Sequence, residues 1–413
     1  MEIRSIFAIL LAPAALLPAL PLAAQTIAWS GLIEARAVAA GGERSWTRSG
    51  LGKSQYDGDN GGLRMGQGIL AAEAALSNTV AASVVLNAAD DRQHVIDLQE
   101  AWLGWNPLPM GAWKLRAKAG IFFPTMNLET DYDRATWTST RTISASAINS
   151  WIGEEIRSKG VEFSATRLGR HTGSPHDVGF TLSVFNGNDP AGTLIAWRGW
   201  SIGDRMTGLS ESLQLADLPV YRPSGQIRKQ TRDIHLFREL DGRLGYYVGA
   251  NYAYAGRIEV NAMHYDNRGD PLVVEGGQYS WTTRFNHLGL RLRPAGEWEF
   301  LLQALSGSTG MGRRAVYATY RAWYVLAAHP LGAGRLALRY DRFRMGEEEN
   351  LFADPNSERG TAVALAYTHP LTPSMSLVTE LLTIRSSRLA RALSGDAVQQ
   401  TTSSLTTALR WQF

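Results

Sequence analysis

The chain has 413 residues, no cysteine and a formal charge of +3. Charge so nearly balanced argues against a nucleic-acid partner, and without cysteine there is neither a disulfide framework nor a lipid anchor on an N-terminal thiol. Mean hydropathy is only -0.16. After the first residues no segment approaches the roughly 18 apolar residues of a spanning helix, whereas a membrane barrel is compatible with such a value because alternate residues face water.

Residues 1–24 carry Arg4, an apolar run from Ile6 to Leu20 and then Pro21-Leu22-Ala23-Ala24. That pattern predicts a secretory signal peptide cleaved after Ala24. The run is broken by Pro13 and Pro18 and is short for a membrane span. The remainder, 25–413, reads as one domain.

From there the chain is a succession of short segments alternating apolar and polar residues, the period of a strand with two unlike faces. The segments are 26–38, 63–76, 80–88, 97–105, 113–122, 158–168, 178–186, 243–254, 257–265, 280–293, 297–305, 315–328, 335–343, 360–368, 375–385 and 401–413. Each is near the roughly 9–11 residues that a tilted strand needs to cross a bilayer. Connections alternate short and long: Ser77-Asn78-Thr79, Ala255-Gly256 and Pro294-Ala295-Gly296 are short, whereas 39–62, 123–157 and 187–242 are long. Tight periplasmic turns and longer external loops follow this rule in outer-membrane barrels. Trp29, Trp105, Trp113, Tyr254, Trp298, Trp411 and Phe413 fall near the predicted periplasmic ends, as a girdle at one lipid boundary would.

Three features bear on function. Lys114, Arg116 and Lys118 are spaced by two, so they share one face opposite Trp113, Leu115, Ala117, Ala119 and Ile121. Basic side chains on the lipid face are costly at mid-depth, so this face is expected to line the lumen. The loop 123–157 is too long for a simple connection and is expected to fold inward as a constriction. It carries Glu129, Asp131, Asp133, Arg134, Arg141, Glu154 and Glu155, and its part from Ile143 to Ile156 is predicted to include a helical turn. Its carboxylates are expected to face the strand-five cations. Other expected lumen charges are Glu34, Arg36, Glu73, Glu100, Glu162, Glu259, Arg321, Arg339, Asp341, Glu380 and Arg410. The loop 187–242, with Trp197, Arg198, Trp200, Arg205, Tyr221, Arg222, Arg228, Lys229 and Arg232, reads as a surface that binds sugars or anionic groups near the mouth, as a contact with a neighbouring subunit, or as a lid.

Enzyme signals are weak. Gly199-Trp200-Ser201-Ile202-Gly203 matches the nucleophile-elbow pattern, with His235 and Asp217 or Asp233 nearby in sequence. The motif needs a strand-to-helix elbow of an α/β sheet, and here it lies between barrel strands. The scattered histidines have no metal-ligand spacing, so neither metal nor cofactor is expected.

The last segment puts Leu405, Thr407, Leu409, Trp411 and Phe413 on one face and Ser404, Thr406, Ala408, Arg410 and Gln412 on the other. It resembles the C-terminal signal of bacterial outer-membrane barrels, with Trp411 and Phe413 carrying the signal. Together with the leader, the sixteen strands and the long third external loop, it resembles the Gram-negative porin superfamily. Ala119-Gly120-Ile121-Phe122-Phe123-Pro124 and Lys159-Gly160-Val161-Glu162-Phe163 are similar to the segments flanking the constriction loop in phosphate-selective porins. The resemblance implies a homotrimer in the outer membrane, contacting outer-membrane lipid and lipopolysaccharide and inserted by the barrel-assembly machinery.

The expectation is therefore an all-β transmembrane antiparallel barrel of about sixteen strands, with long external loops and a constriction loop. Its function is expected to be passive diffusion of small hydrophilic solutes or ions, without enzyme activity. A selective porin for phosphate, other anions or saccharides is the alternative within transport. An outer-membrane hydrolase at Ser201 and a structural or adhesive barrel are the alternatives outside it.

Overall fold

Period-two alternation specifies strands whose two faces differ, and these strands close on themselves. The computed structural model describes residues 26–91, 94–130, 138–348, 351 and 354–413. The expected leader, 1–24, lies outside the described residues, as do Asp131, Asp133 and Arg134 of the expected constriction loop. Sixteen antiparallel strands form one closed barrel. They are β1 Ile27–Ala40, β2 Gly62–Ala75, β3 Val80–Ala88, β4 Ile96–Trp105, β5 Trp113–Phe122, β6 Ser158–Arg167, β7 His176–Asn186 and β8 Gly245–Tyr254. Then come β9 Ile258–Asp266, β10 Thr282–Leu292, β11 Glu299–Met311, β12 Val316–Leu331, β13 Gly334–Glu347, β14 Glu358–Pro370, β15 Met375–Arg388 and β16 Gln399–Gln412. Every expected strand is present, and β3 and β5 agree to the residue. Each strand pairs with its sequence neighbours. β16 closes the ring on β1, with Arg410 opposite Glu34 and Trp411 opposite Ile33.

The outward face is apolar along the middle of the strands. Leu338, Tyr340, Val363, Leu365, Leu381 and Leu405 are all exposed there. So large an apolar belt on a closed barrel is a surface solvated by lipid tails rather than by water. At the end carrying the short turns, Trp29, Trp105, Trp113, Trp298, Trp411 and Phe413 stand exposed in a ring. No helix among the described residues is long and apolar enough to cross a membrane.

The inward face is not a bare wall. Residues 142–158 and 187–208 are buried throughout, because both long loops turn into the ring. The first forms α1, Ala147–Glu155, within the stretch expected to be helical. Ile148, Trp151 and Ile152 follow helical spacing. Trp151 meets Tyr320, Phe285 and Trp200 edge-on at centroid distances of 5.3, 5.4 and 5.9 Å. The second loop forms a short helix, α2, Thr193–Trp197. This corrects the expectation of a surface or lid at the external mouth for the first half of the loop, whose Trp197 and Trp200 are 1% and 0% exposed and so closed to a solute, whereas Arg222, Arg228 and Lys229 further on are exposed.

The inserted loops explain two further departures. Arg321, expected in the lumen, points outward. On β12 the inward residues are Val316, Ala318, Tyr320, Ala322, Tyr324 and Leu326, all buried. A lumen filled by apolar loop residues is dry at this wall, so the hydrophobic face turns in and the arginine turns out. In addition, β11 and β12 run on to a turn of only 312–315, shorter than the expected external loop. Met311 and Val316 pack in one cluster with Leu194, Trp197 and Trp281, so the inserted loop buries strand that would otherwise stand free.

Candidate pore and its constriction

The constriction loop is held by ion pairs buried between loop and wall. Arg339, on the inward face of β13, donates to Glu129 at 2.8 Å, to Asp341 at 2.8 Å and to the carbonyl of Ala145 at 3.0 Å. Glu129 also accepts from the Ser146 N–H at 3.0 Å and from Asn149 Nδ2 at 2.6 Å. Asp341 accepts from the Ala147 N–H at 3.1 Å, so two carboxylates meet the start of α1, where free N–H groups favour negative charge. Glu380 on β15 accepts from the N–H groups of Ile143 and Ser144 at 2.8 and 3.1 Å. Arg141 reaches Glu299 on β11 at 2.5 Å.

The loop 187–242 is anchored as firmly. Arg36 on β1 pairs with Asp204 and with Glu34, and Arg410 donates to Glu34 at 2.7 Å. Ile33 and Ala35 pair with Gly68 and Met65, so a bulge in β2 sits opposite Glu34. The bulge brings Gln67 inward, where its Nε2 donates to the carbonyl of Asp204 at 2.6 Å. At α2, Glu155 accepts from the N–H groups of Gly192 and Leu194, both at 2.8 Å. Arg388 caps the other end through the carbonyl of Trp197 at 2.6 Å, and Lys53 donates to the carbonyl of Arg198 at 2.8 Å. Acceptor oxygens at the start and donor groups at the end satisfy the N–H and C=O groups that the short helix leaves unpaired. Burial drives the Glu155 carboxyl up to about 7 and the Lys53 ammonium down to about 7.

The strand-five cations sit on the opposite side of the ring. Lys114, Arg116 and Lys118 share the inward face of β5 with Gly120, as their spacing predicts. Lys118 pairs with Glu162 on the adjacent β6 at 3.1 Å and lies 4.3 Å from the centre of the Phe122 ring. Arg116 is exposed. Of the loop carboxylates expected to face these cations, Glu129, Glu154 and Glu155 do not, which corrects the expectation for these three, while Asp131 and Asp133 lie outside the described residues. Glu129 turns to Arg339, Glu154 pairs with Arg198 at 2.6 Å and Glu155 caps α2. The reason is electrostatic: the wall arginines of β13 and β15 and the loop's own cations are better desolvated, and a buried carboxylate needs a partner there.

Of the other expected lumen charges, Glu34, Arg36, Arg339, Asp341, Glu380 and Arg410 are buried at the loop anchors. Glu162 and Glu100 flank the loop entrance, with Thr125 Oγ1 donating to Glu162 at 3.2 Å and the Phe123 N–H to Glu100 at 3.1 Å. Glu73 and Glu259 face inward nearer the short-turn end and keep contact with solvent. Periodicity did not single out Lys53, Glu358 or Arg388, which fix the second loop. Lys53 meets Glu358 at 2.6 Å and Arg388 meets it at 3.0 Å.

Ser201 has none of the geometry of a nucleophile. Its hydroxyl lies 3.3 Å from Glu154 and 3.1 Å from Arg198, and it is fully buried. His235, the base suggested by sequence, bonds through its backbone to Gln278 instead. Asp189, Glu239 and Asp241 bring their carboxylates within 4.8 Å of one another. Their oxygens accept backbone N–H groups: Leu240 at 2.5 Å on Asp189, and Gly242 at 2.7 Å on Glu239.

A closed sixteen-strand barrel with an apolar belt and inward-folded loops is the architecture of outer-membrane porins, and solved structures bear this out. The channel DcaP of Acinetobacter baumannii is similar with a TM-score of 0.56 at 10% identity, over 94% of this chain and 97% of that one. OmpT of Vibrio cholerae, in its trimer form, gives 0.53 at 9% identity over 95% and 100%. The anion-selective porin from Comamonas acidovorans gives 0.52 at 13% identity over 94% and 100%. No family model matches the chain, and no curated protein matches it by sequence.

Proposed function

We propose that the chain is an outer-membrane channel for passive diffusion of small hydrophilic solutes, with its short turns in the periplasm. The observation that carries this reading is the asymmetry of the lumen. The constriction loop is ion-paired to β11 and β13 and the loop 187–242 to β1, while the inward face of β5 keeps Lys114, Arg116 and Lys118 partly or fully in contact with water. The solute path then runs between the constriction loop and this basic wall, past Lys118, Glu162 and Thr125. A homotrimer inserted by the barrel-assembly machinery accords with the likeness to a trimeric neighbour.

A preference for anions is a second reading, favoured by the turning away of Glu129, Glu154 and Glu155 from the basic wall. The likeness to an anion-selective porin accords with it. Swelling of proteoliposomes in sugars and anions of graded size tests both readings. Uptake that falls with solute size supports a channel, faster entry of anions than of sugars of equal size supports selectivity, and no swelling with any solute overturns both.

A further inference from the structure

We propose that a cavity of about 220 Å³ between the loops at the long-loop end binds a single sugar ring. The proposal rests on how these loops pack, not on the chain being a channel. None of the lining residues belongs to β5 or β6, beside which the solute path runs.

Three connections meet at this cavity. Trp46 comes from the loop after β1, Asp91 from the loop after β3, and Arg198, Arg205, Gln214 and Leu215 from the loop 187–242. Trp46, Arg198 and Arg205 are only 5%, 6% and 6% exposed. The Arg198 guanidinium lies 4.7 Å from the centre of the Trp46 ring, so each side chain holds the other in place.

The charges around the cavity are already matched. Arg198 donates to Glu154 at 2.6 Å, and Arg205 donates to Glu211. Asp91 lies 3.5 Å from Arg205 Nε, and Glu154 lies 3.8 Å from Arg205 Nη1. A charged ligand would find no counter-ion that is not already engaged, and would be desolvated at a cost.

What the cavity walls leave over is hydrogen-bonding capacity. Trp46 Nε1, Arg198 Nε and both Nε and Nη1 of Arg205 have no hydrogen-bond acceptor among the described residues, and Asp91 Oδ1 and Glu154 Oε1 have no donor. Buried polar groups are ordinarily paired, and leaving them unpaired is costly. Around Arg205 the donors and carboxylates stand just too far apart to bond directly. A hydroxyl group can accept from one and donate to the other. A sugar carries several hydroxyls on one ring, and its C–H face suits an indole and Leu215. The volume is below the roughly 300 Å³ at which pockets for drug-sized ligands begin, which limits the ligand to one ring. Gln214 on the rim is exposed, so entry is from the loop surface.

The test is equilibrium dialysis of the purified full chain, in a detergent without a sugar headgroup, against radiolabelled D-glucose, D-galactose, D-mannose and N-acetyl-D-glucosamine. Inorganic phosphate and glycine are the charged competitors. The expected result is saturable binding of at least one of the four sugars, displaced by neither competitor. Trp46→Phe keeps a ring and removes the N–H, and Arg205→Lys keeps the charge and removes Nε. Each is expected to weaken binding about tenfold, the loss of one hydrogen bond. Trp298→Phe, at the short-turn end, is expected to leave binding unchanged. Absence of saturable binding of all four sugars up to about 100 mM would overturn the proposal and assign the unpaired groups to water alone. Displacement by phosphate or glycine, or equal affinity in wild type and Trp46→Phe, would overturn it as well. If the variants fail to fold, the wild type decides alone through saturation and competition.

Discussion

Glu155 and Arg388 hold opposite ends of one five-residue helix, α2, although they come from a loop and a strand far apart in the chain. The helix is too short to persist alone, so its place in the lumen depends on these two side chains. Its seating is therefore expected to respond to pH. The Glu155 carboxyl, raised by burial from 4.5 to about 7, favours the seated loop most at low pH. That contribution is lost as pH rises through about 7, where the buried group must ionise. Lys53, lowered to about 7, acts in the opposite sense, its contribution being lost as pH falls. Hydrogen exchange of residues 193–204, compared between wild type and Glu155→Gln, isolates the carboxyl. Wild type is expected to lose more protection than the variant between about pH 5 and pH 8. Equal losses would remove Glu155 from the account.

Arg339 is the main tie between constriction loop and wall. Replacing it with Met leaves Glu129 and Asp341 buried beside no cation, at a cost of about 3–5 kcal/mol for breaking such a pair. The least costly relief is release of the loop, because the wall strand is held by full ladders on both sides. Arg339→Met is expected to raise single-channel conductance while leaving the barrel assembled.

The wall of β5 is expected to set ion preference. Reversing Lys114, Arg116 and Lys118 to Glu is expected to move the zero-current potential in a planar bilayer under a salt gradient toward cations. An unchanged potential would show that the solute path runs elsewhere.

The seam of the ring depends on its last residue. Gly31 donates to the carbonyl of Phe413 at 2.9 Å, and Phe413 donates back at 3.2 Å. A Cβ on Gly31 would stand 2.6 Å from the Phe413 ring. Deleting Phe413, or Gly31→Val, is expected to reduce the heat-modifiable folded form on gels and to leave the conductance of assembled channels unchanged. Normal insertion of both variants would separate the terminal aromatic from assembly.

The ring itself was legible because period-two alternation survives wherever one face meets lipid. The strand limits at 80–88 and 113–122 follow from that alone. Arg321 was misassigned because the rule that charge faces the lumen assumes a wet lumen, and Tyr320 and Tyr324 on β12 meet a dry one. The contents of the loop 187–242 were opaque for a related reason. Its aromatics and arginines resemble those of an exposed surface, and only tertiary pairing, such as Asp204 with Arg36, shows that they are inside. Lys53 and Arg388 carry no local pattern at all, since their partners are set by the third dimension.

The interior ties also dictate an order of events. Glu129 meets Arg339 across 210 residues, Ile143 meets Glu380 across 237, and Trp197 meets Arg388 across 191. Each inserted loop thus has one of its ties in the final quarter of the chain, although Arg36 and Lys53, which also hold the second loop, precede it. During synthesis the loops emerge well before these late partners, with Glu129 and the carbonyl end of α2 still waiting for Arg339 and Arg388. Pairings so distant along the chain form slowly. The lumen is therefore finished last, as the seam closes, and until then the chain carries an aggregation-prone interior that has to be shielded from solvent.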